Sequence, residues 1–262
     1  MRRSIDRPVD VAATLSTLSL VKLRLGDTAG ARVDELEALS IFRTLGNRIG
    51  EAIGLLHLGQ ISAYIGDDDD ARSCFEQCDA IAREVKHREV EGECERMRGE
   101  IALYADDLAA ARTRFAHSHE IFRVAGDKRD EATSLWWLGK TDLAADDLAS
   151  ARTRLCAALR AFEAIEMREE RVVCIEDHAR LAYACGNAED AARLYGAASE
   201  QRERLALARP PRIEARWRED VAATRSALGD VAFEAAWSEG RGWEIDAAIR
   251  KALDPADAPI AA

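Results

Sequence analysis

The feature that most constrains this chain is an internal repeat of forty residues. In blocks beginning at Val11, Glu51, Glu91, Glu131 and Arg171, the same chemistry recurs in the same columns. Ala31, Ala71, Ala111, Ala151 and Ala191 form an unbroken alanine column, followed by Arg32, Arg72, Arg112 and Arg152. Four residues after each alanine stand Glu35, Phe75, Phe115, Leu155 and Tyr195, bulky and apolar in all but the first. Ala38, Cys78, Ser118, Ala158 and Ala198 make another column of small side chains. A period of this length signals stacked supersecondary units, each burying its apolar face against its neighbours.

The turns repeat as well. Gly26-Asp27, Gly66-Asp67, Asp106-Asp107, Asp146-Asp147 and Gly186-Asn187 share one position of the block. Glycine tolerates the left-handed conformation that ends a helix, and Asp is a passable substitute. The following Asp or Asn can accept hydrogen bonds from the first amides of the next helix. Each block therefore reads as helix A, a tight turn and helix B. A second loop, seen in Gly46-Asn47-Arg48 and Gly126-Asp127-Lys128, leads to the next block. The expected fold is all-α, a right-handed α-solenoid of helix-turn-helix hairpins. Its blocks are 11–50, 51–90, 91–130, 131–170 and 171–208, preceded by a lead-in, 1–10. Abundant Ala, Leu, Arg and Glu suit long helices, and with only 6 Phe the core is expected to consist largely of Ala and Leu.

The net charge of -11 runs against a duplex DNA-binding surface, which concentrates Lys and Arg. Between Arg193 and Arg225 eight Arg meet five carboxylates, a pattern that fits a helix surface laced with ion pairs. The stretch from Val11 to Leu25 is mildly apolar but belongs to the repeats, and Asp6 and Asp10 interrupt its approach. No run approaches the roughly 18 apolar residues of a membrane helix. These features predict a cytoplasmic protein with no direct nucleic-acid or membrane partner, whose six cysteines are reduced thiols.

The columns resemble the tetratricopeptide motif. Leu58-Gly59, Ala71, Phe75 and Cys78 stand at that motif's Leu-Gly, Ala, Phe and Ala positions. Leu138-Gly139, Ala151, Leu155 and Ala158 repeat them, as do Gly99, Ala111 and Phe115. Ser19 and Ala179 depart at the Gly position, the closing Pro is missing, and the period exceeds the usual thirty-four. The end of the chain is similar to the C-terminal region of bacterial signal-transduction ATPase regulators of the LuxR, MalT and AfsR kind. The similarity rests on residues 192–198, Pro210-Pro211, Ala227-Leu228-Gly229-Asp230, residues 232–237, Glu239-Gly240-Arg241 and residues 247–253. In that family the repeats sense an inducer or partner behind an ATPase switch.

The resemblance implies a non-catalytic sensor or interaction domain of a signalling or transcriptional regulator. Its partners would be a protein or peptide, or a small-molecule inducer, with an ATPase module in cis or in trans. The alternative is a freestanding tetratricopeptide adaptor that binds partner peptides and controls no ATPase. The abrupt start suggests a fragment of a longer regulator. Leu15, Leu18, Leu20 and Leu23 of the first helix would lack a preceding partner. Residues 209–253, with Trp217, Phe233, Trp237 and Trp243, read as capping helices over the last repeat, and 254–262 as a disordered tail.

No enzyme chemistry emerges, and no cofactor or metal is expected. Gly139-Lys140-Thr141 lacks the further Gly of a phosphate loop, since Ser134 stands in its place and bulky residues intervene. Cys74 and Cys78 share a helix face, as metal ligands sometimes do, but Cys78 fills the small-residue column, and His87 and Cys94 complete no ligand pattern. His117 and His119, two residues apart, cannot share a helix face.

In tetratricopeptide stacks helix A lines the concave face. The position that points into that groove corresponds to Gln60, Glu100, Lys140 and Arg180, with Tyr64, Arg96, Tyr104, Trp136 and Tyr183 nearby. Aromatics with mixed charges suit a peptide or small polar ligand. The competing reading is that the aromatics pack between helices and the charges only solvate a surface.

Overall fold

The computed structural model describes residues 8–254, and every element in them is a helix. The lead-in is described only from Pro8, already helical, and the expected tail only at Asp254. The rest of both lies outside the described residues.

Thirteen helices follow one another: α1 (Pro8–Arg24), α2 (Thr28–Thr44), α3 (Arg48–Ile65), α4 (Asp68–Glu84), α5 (Arg88–Tyr104), α6 (Leu108–Ala125), α7 (Lys128–Ala144), α8 (Leu148–Ala164), α9 (Arg168–Ala184), α10 (Ala188–Leu205), α11 (Pro211–Leu228), α12 (Asp230–Arg241) and α13 (Ile245–Ala252). The first ten form five antiparallel hairpins, each beginning three residues before the block read from the sequence. They belong to two compact units, residues 1–125 and 126–262. The first contains the hairpins α1/α2, α3/α4 and α5/α6, and the second α7/α8, α9/α10 and the three C-terminal helices. The boundary falls in a turn, and the repeat columns run through it unbroken, so nothing in the sequence announces it.

One device, recurring every twenty residues, builds the hairpins. The left-handed turn residues are Gly26, Gly46, Gly66, Lys86, Asp106, Gly126, Asp146, Glu166, Gly186 and Ala206. The second loop is thus as regular as the first, although Lys86, Glu166 and Ala206 hide it from a search for glycine. The residue after each turn caps the next helix in most cases. Asp27, Asn47, Asp67, Asp107, Asp147 and Asn187 each accept a hydrogen bond from the amide three residues on. His87 does so through Nδ1 at 3.4 Å. Met167 and Leu207 are the exceptions: Met167 is buried and makes no side-chain cap bond, and Leu207 opens no helix, since α11 begins only at Pro211.

The repeat columns are the core. Ala31, Ala71, Ala111, Ala151 and Ala191 are wholly buried, as are Ala38, Cys78, Ser118, Ala158 and Ala198. The bulky column packs onto the Leu-Gly position of helix A in the same hairpin. A Cβ on Gly99 would meet the Phe115 ring at 2.7 Å, and one on Gly139 would meet Leu155 at 2.9 Å. Gly59 faces Phe75 in the same way. The core is largely Ala and Leu, as expected, but all six phenylalanines are buried in it too. Small residues on one helix leave room for a ring from its partner, so alanine and phenylalanine are complementary halves of one contact.

Glu35 breaks the bulky column yet is fully buried. Ser16 Oγ donates to its Oε1 at 2.7 Å, and His57 Nδ1 lies 3.3 Å from its Oε2. This polar brace joins α1, α2 and α3. Of the α1 leucines expected to lack a partner, Leu15 and Leu23 pack on core clusters and Leu20 is half-buried. Leu18 remains exposed.

In the second unit, α12 packs along α10, and α13 touches both α9 and α10. Phe233 and Ala236 cover Ala192, with Val221, Leu228 and Trp237 around them. The crossing is close because Gly196 approaches the Trp237 carbonyl and Gly240 the Arg193 carbonyl, where any Cβ would collide with backbone.

Candidate functional site

Among the hairpin helices α1–α10 of each unit, the odd-numbered ones approach one another more closely than the even-numbered ones, α1 to α3 to α5 and α7 to α9. The inner row is therefore made of the helices that carry the predicted groove residues.

In the first unit, Gln60 and Tyr64 on α3 are half-buried. On α5, Arg96 pairs with Glu100 at 3.1 Å, one turn apart, and Tyr104 lies one turn further on, partly exposed. The Nε of Arg96 is buried without a hydrogen-bond partner.

The second unit brings its predicted residues together through one that the sequence reading missed. Asp177 on α9 accepts a hydrogen bond from Trp136 Nε1 at 2.7 Å. It also lies 3.7 Å from Lys140 Nζ and 3.4 Å from Arg180 Nη1. Lys140 Nζ sits 4.4 Å from the ring centroids of both Trp136 and Trp137, a cation–π arrangement. Arg180 reaches on to Asp220 of α11 at 3.1 Å. Burial alone would lower the Arg180 pKa, but Asp177 and Asp220 more than offset it and hold the guanidinium charged. Burial also raises the Asp220 pKa against the pull of Arg180 and Arg216. Tyr183 stands one turn beyond Arg180, partly exposed.

Trp136 is buried at 8% exposure, tilted against Trp137 and edge-on to Phe162. It positions Asp177 and forms the floor beneath Lys140, with little surface to offer a ligand. The signal that could have found Asp177 is its column: Thr17, His57, Met97 and Trp137 hold that position in the earlier blocks. A carboxylate where no earlier block has one asks for a partner. Asp220 lies outside the repeats and has no column to depart from.

The other chemistry weighed in the sequence resolves into structure. Gly139-Lys140-Thr141 lies inside α7, and Thr141 Oγ1 donates to the Trp137 carbonyl at 2.9 Å. Cys74 and Cys78 are buried, and burial pushes the Cys74 thiol up to about 11. His87 serves as the cap of α5. Among the described residues no group of three or more His, Cys, Asp and Glu side chains is disposed to hold a metal ion. Ser16 Oγ lies 2.9 Å from His57 Nδ1, but that same nitrogen also faces Glu35, whereas a nucleophile relay uses the two opposite ring nitrogens.

Ion pairs lace the Arg193–Arg225 segment, as expected. Arg193 binds Asp190 and Glu239, Arg204 reaches Glu200 and Glu244, and Arg225 holds Asp230 and Glu234. Arg202 makes a two-point contact with buried Glu176 at 2.8 and 3.0 Å, and Arg209 joins the same carboxylate at 2.6 Å. No described helix is long and apolar enough to cross a membrane.

Against known proteins, no family model matches the chain and no curated protein matches it in sequence.

Proposed function

We propose that the chain is a non-catalytic, tetratricopeptide-like binding module that holds an acidic peptide segment on its inner helix row. The observation that carries this reading is Lys140. Its ammonium is held over two indoles and oriented by Asp177 at 3.7 Å, beyond hydrogen-bonding distance. Its three protons are thus positioned but little used, in a site whose rotamer is set by packing. A peptide carboxylate reaching Lys140 would gain a charge-assisted hydrogen bond with little ordering cost on the protein side. Arg180 and Tyr183 extend the contact one turn along α9. In the first unit Arg96, with its unpartnered Nε, is the corresponding anchor.

The sensor role in an ATPase-linked regulator is supported by the tail pattern, whose glycines and aromatics form the α10–α12 crossing. In that role peptide occupancy would be transduced to an ATPase module through a differential affinity between two states.

The test is a panel of fluorescent peptides, acidic, neutral and basic, titrated against the wild type and Lys140→Met. Acidic peptides should bind preferentially, and Lys140→Met should weaken them about tenfold or more, the scale of a lost charged hydrogen bond. Equal binding by both proteins would exclude Lys140 as the anchor. Trp136→Ala is unsuitable for this purpose, because a buried Trp truncation costs about 3–5 kcal/mol in stability.

A further inference from the structure

The first hairpin exposes a helix face that later hairpins use for packing. Gly54, Leu58 and Ile61 lie on one face of α3, and that face meets α2: a Cβ on Gly54 would touch Leu39 at 3.3 Å. Forty residues on, Cys94, Arg98 and Ile101 hold the same face of α5, and Arg98 pairs with Asp79 of α4 at 3.2 Å. On α9 the residues are Cys174, His178 and Leu181, and His178 Nε2 lies 3.8 Å from Cys156 Sγ of α8. Through this face an odd-numbered helix seats on the even-numbered helix before it.

On α1, the first described helix, the same positions are Thr14, Leu18 and Val21. Leu18 is 42% exposed where Leu58 is 4%, and Val21 is 48% exposed where Ile61 is 1%. Val11 and Leu25 extend the stripe in both directions and are exposed as well. The hydroxyls of Thr14 and Thr17 donate to the carbonyls of Asp10 and Ala13, so their protons are already used within the helix. The spacing 11, 14, 18, 21, 25 alternates three and four, the seam by which one helix packs along another.

The complementary face, offered by an even-numbered helix to the next hairpin, is filled at the far end of the repeats. Cys156 presents it on α8, and forty residues on Gly196 holds that position on α10, against the Trp237 carbonyl of α12. End-to-end stacking of copies is therefore closed, whereas pairing of the α1 face with itself is open. Charge selects the direction of that pairing. Asp10 and Arg24 are both exposed and stand seven residues on either side of Thr17, two helical turns each way. A two-fold axis at Thr17 brings Asp10 of each copy to Arg24 of the other, while parallel helices would set like charges together.

We propose that this face binds a second copy of the chain, the two α1 helices lying antiparallel with Leu18 and Val21 at the centre. Exposed ion pairs add little affinity, so the apolar stripe holds the dimer and the charges fix its orientation. One helix face from each copy lies at or below the roughly 1,200 Å² lower bound of stable interfaces, which puts the dissociation constant at about 10–100 μM.

The test is sedimentation equilibrium of the full chain from about 1 to 300 μM, spanning that range. A reversible monomer–dimer equilibrium is expected. Leu18→Glu should weaken it about tenfold or more while leaving the melting curve unchanged, since an exposed position tolerates the charge. Asp10→Arg should weaken it about threefold, and adding Arg24→Asp should restore it. A chain that stays monomeric throughout would overturn the proposal and leave the stripe to a helix of another protein. So would a dimer indifferent to Leu18→Glu, or a charge-swapped double variant no tighter than Asp10→Arg. Lys140→Met should dimerise like the wild type, so this interface and the peptide site stand or fall separately.

Discussion

Glu166 sits at φ 56 with its side chain in solvent, and Gly186, twenty residues on, occupies the equivalent turn at φ 84. The backbone demand is the same at both, and only the residue differs. A left-handed non-glycine costs about 1–2 kcal/mol, of which glycine returns part as unfolded-chain entropy. Glu166→Gly should therefore stabilise the chain by about 0.5 kcal/mol. Gly186→Ala should destabilise it by about 1 kcal/mol. Urea midpoints of the two variants moving in opposite directions would bear this out, and movement in the same direction would break the equivalence of the two turns. The same contrast explains what was legible. Turns marked by Gly or Asp could be read directly, while Lys86, Glu166 and Ala206 take the left-handed shape because the helices on either side require it.

At the scale of elements, the docking of α13 rests on a short ion pair. Lys251 Nζ lies 2.5 Å from Asp190 Oδ2, and Arg193 contacts the other carboxylate oxygen at 3.0 Å. Burial works to raise the Asp190 pKa, but the bonds from Lys251, Arg193 and Asn187 win and hold it below its usual 3.8. A depressed carboxylate contributes stability above its unfolded pKa and loses it as pH falls through its folded pKa. Asp190→Asn should thus melt lower than wild type near neutral pH, with the gap closing below about pH 4. A gap independent of pH would show that packing, not charge, docks α13. This contact was invisible in the sequence. Asp190 precedes the alanine column and Lys251 lies sixty-one residues away in a helix with no repeat register. The hairpins, in contrast, were legible because each is built from positions sixteen residues apart, such as Gly59 with Phe75 and Gly99 with Phe115, recurring with the period.

For the whole molecule, repetition reveals the hairpins and conceals their grouping into two units. The columns satisfy each hairpin internally, so they carry no mark of where one compact unit gives way to the next. The candidate site shows the same limit. The inner-row positions follow from the repeat, whereas Asp177 and Asp220, which organise them in the second unit, are departures from it. The α11–α13 cover is needed because it buries Ala192 and part of α10. Truncation after Arg209 should lower the melting temperature by several degrees or cause aggregation, given roughly 2–4 °C per kcal/mol at this size. An unchanged melting curve would remove the capping role.

Whether Lys140 reads a carboxylate is decided by a double-mutant cycle. The dissociation constant of one acidic peptide and its amide twin is measured against wild type and Lys140→Met. A coupling of about 1 kcal/mol or more between Lys140 and the peptide carboxylate is the predicted result. Additive effects, with no coupling, would show that Lys140 does not contact the peptide carboxylate.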